Sequence, residues 1–272
     1  MSRILMFVLL AVVLATAALG GWVAPHDPTA PLGAPWRGAG PEHPLGTDAL
    51  GRDVWSRVLA GGAGLISVSV LAALTASFVG VAAGLAAGWA GGALDRAATA
   101  LTDLLLAVPS LLLALVVAVA LPGHTAVVVA TVCGGAPLTL RVVRDAVRSI
   151  SGAGYVEAAR CRGESGAAVL VREVLPAMRG VVTADLGLRL VVALQIASAL
   201  NVLGFGPSPP EPDWALMLRE NMVGVAMNPW SVVAPAAALG LTTVLLALSV
   251  QLAADRYPVA PRWRRRNVHV GL

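Results

Sequence analysis

Lysine is absent from this sequence of 272 residues, and all nineteen basic residues are arginine. Only 12% of the residues are charged. The absence of lysine excludes the glycine-rich phosphate loop of ATPases, because that loop needs a lysine to reach the phosphates. Neither a His-Glu-x-x-His site nor a Gly-x-Ser-x-Gly elbow occurs. The sequence therefore carries no recognisable catalytic motif.

Cysteine is also scarce, and the two that are present predict no disulfide. Cys133 falls within an apolar run, whereas Cys161 lies in an arginine-rich segment. The two side chains are expected at different depths, so they would gain nothing from pairing.

Hydrophobic residues, in contrast, make up 57% of the chain, far more than in a soluble domain. Six runs have few or no charges: 4–23, 65–90, 97–121, 125–140, 181–205 and 231–254. Most can cross a bilayer, since about 20 apolar residues in a helix span its hydrocarbon core. The run 125–140 is short and is expected to extend into its arginine-rich flank. Polar and apolar residues do not alternate strictly in these runs, so helices fit them better than strands. The runs therefore predict an all-α polytopic membrane protein of about six transmembrane helices.

The first run has an alternative interpretation as a cleaved signal peptide. Arg3 precedes its apolar core, and the small residues Ala15, Thr16 and Ala17 resemble a cleavage site. The run continues to Val23, however, and the remaining chain is already able to target itself to a membrane. A first transmembrane helix is the favoured interpretation.

Arginine placement predicts the orientation, because cytoplasmic loops are enriched in basic residues. With the N-terminus inside, the inside segments carry Arg3, Arg96, Arg141, Arg144, Arg148, Arg160, Arg162, Arg172, Arg179, Arg256, Arg262, Arg264, Arg265 and Arg266. The outside segments carry only Arg37, Arg52, Arg57 and Arg219. Both termini are thus predicted to be cytoplasmic. Anionic membrane lipid explains the net charge of +4 better than nucleic acid does.

The predicted organisation follows from these spans. Residues 1–23 form the first transmembrane helix and residues 24–64 an external loop. Residues 65–256 form a core of five transmembrane helices, with a cytoplasmic loop at 141–179 and an external loop at 206–230. Residues 257–272 form a basic cytoplasmic tail.

The cytoplasmic loop contains a predicted short helix. Four residues share one of its faces at spacings of three, four and seven: Tyr155, Ala158, Ala159 and Arg162. The small alanines would allow another protein to approach closely. Glu157 suits the helix start, Gly163 can end the helix, and Pro176 marks the return toward the membrane.

Two motifs resemble a known family of membrane proteins. Glu157-Ala158-Ala159, Gly163 and Leu175-Pro176 look like the EAA loop of ABC importer permeases, which docks as a coupling helix into a cleft on the ATPase subunit. The segment 43–57 is similar to the GTD-LGRD signature of the dipeptide, oligopeptide and nickel permeases. Its matching residues are Gly46, Thr47, Asp48, Gly51, Arg52 and Asp53.

The resemblance extends to Asp103, Pro109, Gly204 and Trp214, which together with Asp185 are candidates for the translocation pathway or its gate. Its best match is the C-type permease. It implies a type I (MetI-like) permease fold in the bacterial inner membrane. It also implies four kinds of partner: a B-type permease subunit, two ATPase subunits that bind ATP and Mg, an extracytoplasmic substrate-binding protein, and lipid. This chain itself would bind no cofactor. Di- or oligopeptides are the expected substrate, with nickel or metal chelates as the alternative.

Several positions depart from the family pattern. Gly62-Ala63-Gly64 stands where Gly-x-Arg-x-Ser is expected, and Ala177 replaces the customary Asn after Leu-Pro. Ala197 stands where an acidic residue is common. These changes lie at the pore and its ends, so they weaken any inference of substrate identity.

Charges within the apolar runs are further candidates. An unpaired charge at mid-bilayer costs about 2.5 to 3.5 kcal/mol, so Asp103, Asp185 and Arg189 should face protein or water. Asp185 and Arg189 are one helical turn apart and either pair locally or line a pathway. In the outside loop, the spacing of His26, Glu42 and His43 matches no compact ligand set, so no metal site is predicted.

Two other functional classes have less support in the sequence. A secondary transporter should show internal repeats with broken helices in corresponding positions, and no convincing repeat is visible. An intramembrane enzyme is suggested by Asp103 and Asp185, but these lack a paired catalytic spacing.

Overall fold

A computed structural model describes residues 3–254, and within them the regular secondary structure is helical. The helices are α1 (Arg3–Val23), α2 (Val54–Ala60), α3 (Ala63–Ala90), α4 (Gly92–Ala107), α5 (Ser110–Ala120), α6 (Gly123–Ser151), α7 (Gly154–Cys161), α8 (Gly166–Val169), α9 (Leu175–Ala177), α10 (Arg179–Leu203), α11 (Trp214–Asn221) and α12 (Trp230–Ala254). A π-helical turn covers Leu170–Val174 and a 3₁₀ turn covers Met222–Gly224. The all-α prediction is confirmed, and the predicted tail 257–272 lies outside the described residues.

Within residues 3–254, four spans are long and apolar enough to cross a membrane: Val54–Ala90, Gly123–Ser151, Arg179–Leu203 and Trp230–Leu252. The predicted extension of the run 125–140 into its arginine-rich flank is confirmed, because α6 continues to Ser151. The predicted first span corresponds to α1. Within α1, the segment Val8–Ala17 is apolar but shorter than a membrane span. This helix packs against α2 and α12.

The predicted third span, 97–121, is not one straight helix. It divides into α4 and α5, which are bent by 89° at Val108 and Pro109. Proline lacks an N–H and disfavours helical angles in the residue before it, and Val108 accordingly has extended angles of φ −89° and ψ 128°. The pair therefore forms either a broken span or a re-entrant loop.

Glycines bring α3 and α6 into close contact. A Cβ atom added at Gly80 would lie 2.4 Å from Cβ of Thr139, and one at Gly84 would lie 2.7 Å from Cβ of Val143. Such spacing of four residues places small residues on one face of α3, which lets two membrane helices approach closely. The α3–α6 pair is thus the central contact of the bundle.

Two hydrophobic cores lie toward opposite ends of this pair. One core joins α1, α3, α5, α6, α10 and α12 to Trp214 of α11, and Phe205 packs against it. The other joins Val143 and Val147 of α6 to α7, α8 and Met178. We call these the signature end and the α7 end of the bundle.

Candidate functional site

The predicted short helix in the loop 141–179 exists as α7 and shows two faces. Val156 and Ala159 are buried against Val143 and Val147 of α6. Ala158 is exposed on the other side. The prediction that Ala159 lies on an open surface for a partner is therefore wrong, because its side chain fills the contact between α7 and the bundle.

The exposed side of α7 is polar with one aromatic ring. Its members are Tyr155, Glu157, Ala158, Arg160 and Arg162. Glu157 lies in the first turn, where the helix dipole stabilises a negative charge. A short helix with a buried apolar edge and an open polar edge is available to bind another protein.

Gly163 ends α7 in a left-handed conformation with φ +80°. Its N–H donates to the carbonyl of Arg160 at 2.9 Å, and the N–H of Glu164 donates to the carbonyl of Ala159 at 3.3 Å. These two bonds form a Schellman motif, which favours glycine at this position. Arg162 and Glu164 then pair across it, with Nη2 and Oε1 2.7 Å apart.

The segment around α7 is also fixed to the bundle. The guanidinium of Arg160 lies 4.5 Å above the ring of Trp89, which belongs to the last turn of α3. Further along the chain, Pro176 is exposed in α9, and the chain enters α10 after the buried Met178. Helix α7 is therefore in direct contact with both α3 and α6.

Asp48 organises the loop that carries the second motif. One of its carboxylate oxygens accepts bonds from the N–H groups of Leu50 at 2.8 Å and Arg52 at 2.9 Å. Its other oxygen accepts from Nε of Arg52 at 2.7 Å and from Nη1 of Arg57. Asp48, Arg52 and Arg57 are all buried.

A second carboxylate completes this charge network from a distant part of the chain. Glu220 of α11 accepts from Nη2 of Arg52 and from Nη1 of Arg57, each at 2.8 Å. Arg57 also donates to the carbonyl of Glu211 at 3.2 Å. Sequence reasoning did not identify Glu220 or assign a role to Arg57, because no local spacing connects α11 with a loop more than 150 residues earlier.

The other predicted signature residues also hold the loop together. The Thr47 hydroxyl donates to the carbonyl of Ala34 at 2.6 Å. Asp53 begins α2 by accepting from the N–H of Ser56 at 2.8 Å. Gly46 and Gly51 both have positive φ. All six signature residues therefore shape the signature end.

Gly51→Ala should destabilise this loop. A Cβ atom there would lie 2.0 Å from the carbonyl oxygen of Gly33, and φ is +74°. A positive φ alone costs a residue with a Cβ atom about 1–2 kcal/mol, so we expect a lower melting temperature of the purified chain. Gly40→Ala is the control, because nothing lies within 4 Å of its added Cβ. Equal melting temperatures for both variants would contradict this role.

Trp214 anchors α11 to α2 and to the start of α3. Its indole N–H donates to the carbonyl of Val58 at 2.7 Å. A Cβ atom at Gly62 would lie 2.6 Å from its ring. Gly204 ends α10 with φ +96°, and a Cβ there would meet Nη1 of Arg219 at 2.6 Å. Both residues thus position the loop 206–230.

Asp213 begins α11 as a buried cap. Burial raises its pKa above the ordinary value of 3.8, because the carboxylate loses its hydration. Bonds from the N–H of Leu216, the amide of Asn201 and the N–H of Ala215 oppose this rise. A small cavity lies beside Asp213 and is also lined by His124.

The raised pKa of Asp213 predicts a pH dependence of stability. The folded chain binds this proton more tightly than the unfolded chain does, so protonation of Asp213 stabilises the folded state. This stabilisation is complete below pH 3.8 and is lost as the pH rises through the raised pKa. Asp213→Asn is neutral at every pH and keeps an oxygen for the cap. We expect its melting temperature to fall less than that of the wild type over this window. Parallel curves would contradict the assignment.

Asp185 and Arg189 form a local ion pair inside the bundle, which is one of the two arrangements expected from the sequence. Nη2 of Arg189 lies 3.4 Å from Oδ1 of Asp185, and both residues are buried. The Thr139 hydroxyl donates to Oδ2 of Asp185 at 2.5 Å. The expectation that these charges face protein is therefore confirmed.

Asp103 occupies a different environment. It pairs with Arg141 of α6, yet 58% of its side chain remains exposed on the described chain. Pro109 stands at the bend between α4 and α5. Asp103 and Pro109 are both exposed on the described chain.

Comparisons with known proteins agree with these features. A sequence family described as "Binding-protein-dependent transport system inner membrane component" matches residues 80–264, which is more than half of the chain. The glutathione transport system permease protein GsiD of Pectobacterium atrosepticum is 33% identical over 207 residues, 76% of this chain and 69% of the relative. GsiD of Escherichia coli O1:K1 / APEC is 33% identical over 254 residues, 89% of this chain and 80% of the relative.

Proposed function

Because the chain belongs to the family of inner membrane components of binding-protein-dependent transport systems, we propose that it imports short peptides with a second permease subunit. As a permease it is not an enzyme, and ATP hydrolysis belongs to partner ATPases. The single observation that carries the mechanism is the exposed α7, capped at Gly163 and packed against α6.

We assign the ATPase contact to the exposed side of α7. Tyr155 and Ala158 offer a ring beside a small side chain, which suits a partner surface that approaches closely. Arg162 is held by Glu164, so the charged edge is already ordered before a partner binds. Val156 and Ala159 connect this surface to α6. Movement of an ATPase subunit would thus reach the membrane helices without a flexible link.

The α7 end is assigned to the cytoplasm and the signature end to the outside. The concentration of arginine in the segment 141–179 supports this orientation. The signature end is a rigid platform built from the buried network of Asp48, Arg52, Arg57 and Glu220. Such a platform suits docking of an extracytoplasmic substrate-binding protein, since docking then requires little ordering of loops.

The second permease subunit is placed against α4, α5 and the adjacent side of α6. Leu104, Leu112, Val116 and Val119 are exposed there. The Asp103–Arg141 pair lies on the same surface, and charges facing lipid would be costly. A translocation pathway between two such subunits would give this pair both protein and water as neighbours. The bend at Pro109 offers a place where the pathway can change shape.

The substrate is assigned to the short-peptide class because GsiD relatives carry the name of a glutathione transport system. Nickel or metal chelates are the alternative that the signature motif leaves open. Competition for uptake distinguishes them: glutathione and dipeptides should inhibit import of a labelled peptide, whereas nickel salts should not. Inhibition by a nickel chelate alone would replace the peptide assignment.

The importer assignment is tested by purification of the assembly. The chain is expressed with the permease and ATPase subunits encoded beside it and is isolated through a tag on this chain. We expect the ATPase subunits to copurify and to hydrolyse ATP faster when the loaded binding protein is added. A chain that transports substrate without an ATPase would instead be a secondary transporter.

A further inference from the structure

Two histidines and one aspartate meet at the signature end. Nδ1 of His43 lies 3.0 Å from Oδ1 of Asp53, and Nδ1 of His26 lies 3.7 Å from Oδ2 of the same carboxylate. One ligand atom from each residue falls within 4.8 Å of the others. Sequence spacing had suggested no such group, and Glu42 is not part of it. The fold supplies the third member, Asp53, from the N-cap position of α2.

The environment of His26 is the second observation. Its backbone N–H donates to the Ser56 hydroxyl at 3.1 Å, which holds the residue beside α2. Its Nδ1 atom is buried but has no hydrogen-bond partner among the described residues. A buried ring nitrogen normally has a partner, because an unsatisfied polar atom is costly. The Nδ1 atom therefore lacks a ligand where two other ligand atoms are nearby.

We propose that His26, His43 and Asp53 bind a divalent transition metal, with Zn²⁺ as the best fit. Ligands bonded to zinc at about 2.0–2.1 Å in a tetrahedron lie about 3.4 Å from one another. Nδ1 of His43 lies 3.0 Å from Oδ1 of Asp53 and Nδ1 of His26 lies 3.7 Å from Oδ2, so each ring nitrogen is near this distance from a carboxylate oxygen. A set of two imidazoles and one carboxylate is also a common zinc ligand set.

The surroundings of the three ligands suit an ion with one open position. Asp53 is held in place by the N–H and hydroxyl of Ser56, so its carboxylate is already oriented. His26 keeps 37% of its side chain exposed, which leaves a path for the ion and a place for water as fourth ligand. His43 would bind the ion through Nδ1 of its neutral ring, with the ring proton on Nε2.

A bound ion would cross-link the segment that follows α1 to the signature loop and α2. His26 lies three residues after the end of α1, and Asp53 directly precedes α2. The ion would therefore stabilise the signature end by binding the folded chain alone. This inference does not depend on which substrate the chain transports or on the ATPase contact.

Equilibrium dialysis of the purified full-length chain against Zn²⁺, with a tag free of histidine, tests the proposal. We expect one ion per chain and a rise in melting temperature. Binding should weaken at least about tenfold in His26→Ala and His26→Gln, because each removes one of three protein ligands. Co²⁺ in place of Zn²⁺ should give the absorption bands of a tetrahedral site.

His124 provides a matched control. His124→Ala should bind Zn²⁺ like the wild type, since His124 is not part of this cluster among the described residues. The metal-free melting temperature of His26→Gln should equal that of the wild type, which separates loss of a ligand from misfolding. Absence of stoichiometric binding, or equal binding by wild type and both His26 variants, would overturn the proposal.

Discussion

Gly163→Val should abolish coupling while leaving the protein in the membrane. The residue sits at φ +80°, a conformation that costs a β-branched side chain most, and it completes the two bonds that end α7. An added Cβ meets no atom within 4 Å, so the effect acts through the backbone and not through a clash. We expect ATP-dependent uptake to fall at least about tenfold, equivalent to about 1.4 kcal/mol of coupling free energy.

Two substitutions serve as controls for this result. Gly163→Asn should retain most uptake, because asparagine tolerates the left-handed conformation. Gly154→Ala, at the other end of α7, should be close to wild type, since its added Cβ is also in open space. Uptake and ATPase stimulation are measured in vesicles with equal amounts of each variant. Normal activity of Gly163→Val, or equal loss in all three variants, would reject the role of this turn.

A separate substitution tests the exposed side of the same helix. Ala158→Glu places a charge beside Tyr155 without changing the buried face of Val156 and Ala159. The variant should insert normally and should lose copurification with the ATPase. It distinguishes a lost contact surface from the altered backbone of Gly163→Val.

Asp48→Asn should have the largest effect on stability. The substitution preserves shape but leaves Arg52 and Arg57 buried with Glu220 as their remaining carboxylate. Removing one partner from a buried ion pair typically costs about 3–5 kcal/mol, because the charge left behind is neither hydrated nor neutralised. We expect a large drop in melting temperature and rapid proteolysis of the loop 24–53.

Glu42→Gln is the matched control for this prediction. Glu42 also pairs with an arginine of the same loop, but its carboxylate lies 3.7 Å from Arg37 and its side chain is 78% exposed. Exposed pairs contribute about 0–1 kcal/mol, so this variant should melt close to the wild type. A similar small shift for both variants would show that the buried network does not stabilise the signature end.

Local sequence patterns predicted the helical parts of the structure well. The apolar runs 65–90, 181–205 and 231–254 correspond to α3, α10 and α12. The short helix before Gly163 was also predicted, because its capping glycine and preceding residues are adjacent in the chain. The bend between α4 and α5 was missed, although Pro109 was the signal that could have revealed it.

The sequence by itself determined that this chain is a helical membrane protein without a lysine-containing phosphate-binding loop. The length of the apolar runs and the absence of lysine can be read without knowing which residues are in contact. Only the tertiary structure decided that Ala159 is buried, that Glu220 neutralises Arg52 and Arg57, and that His26 meets His43 and Asp53. Burial and charge pairing depend on distances between segments far apart in sequence, and no periodicity within one segment specifies them.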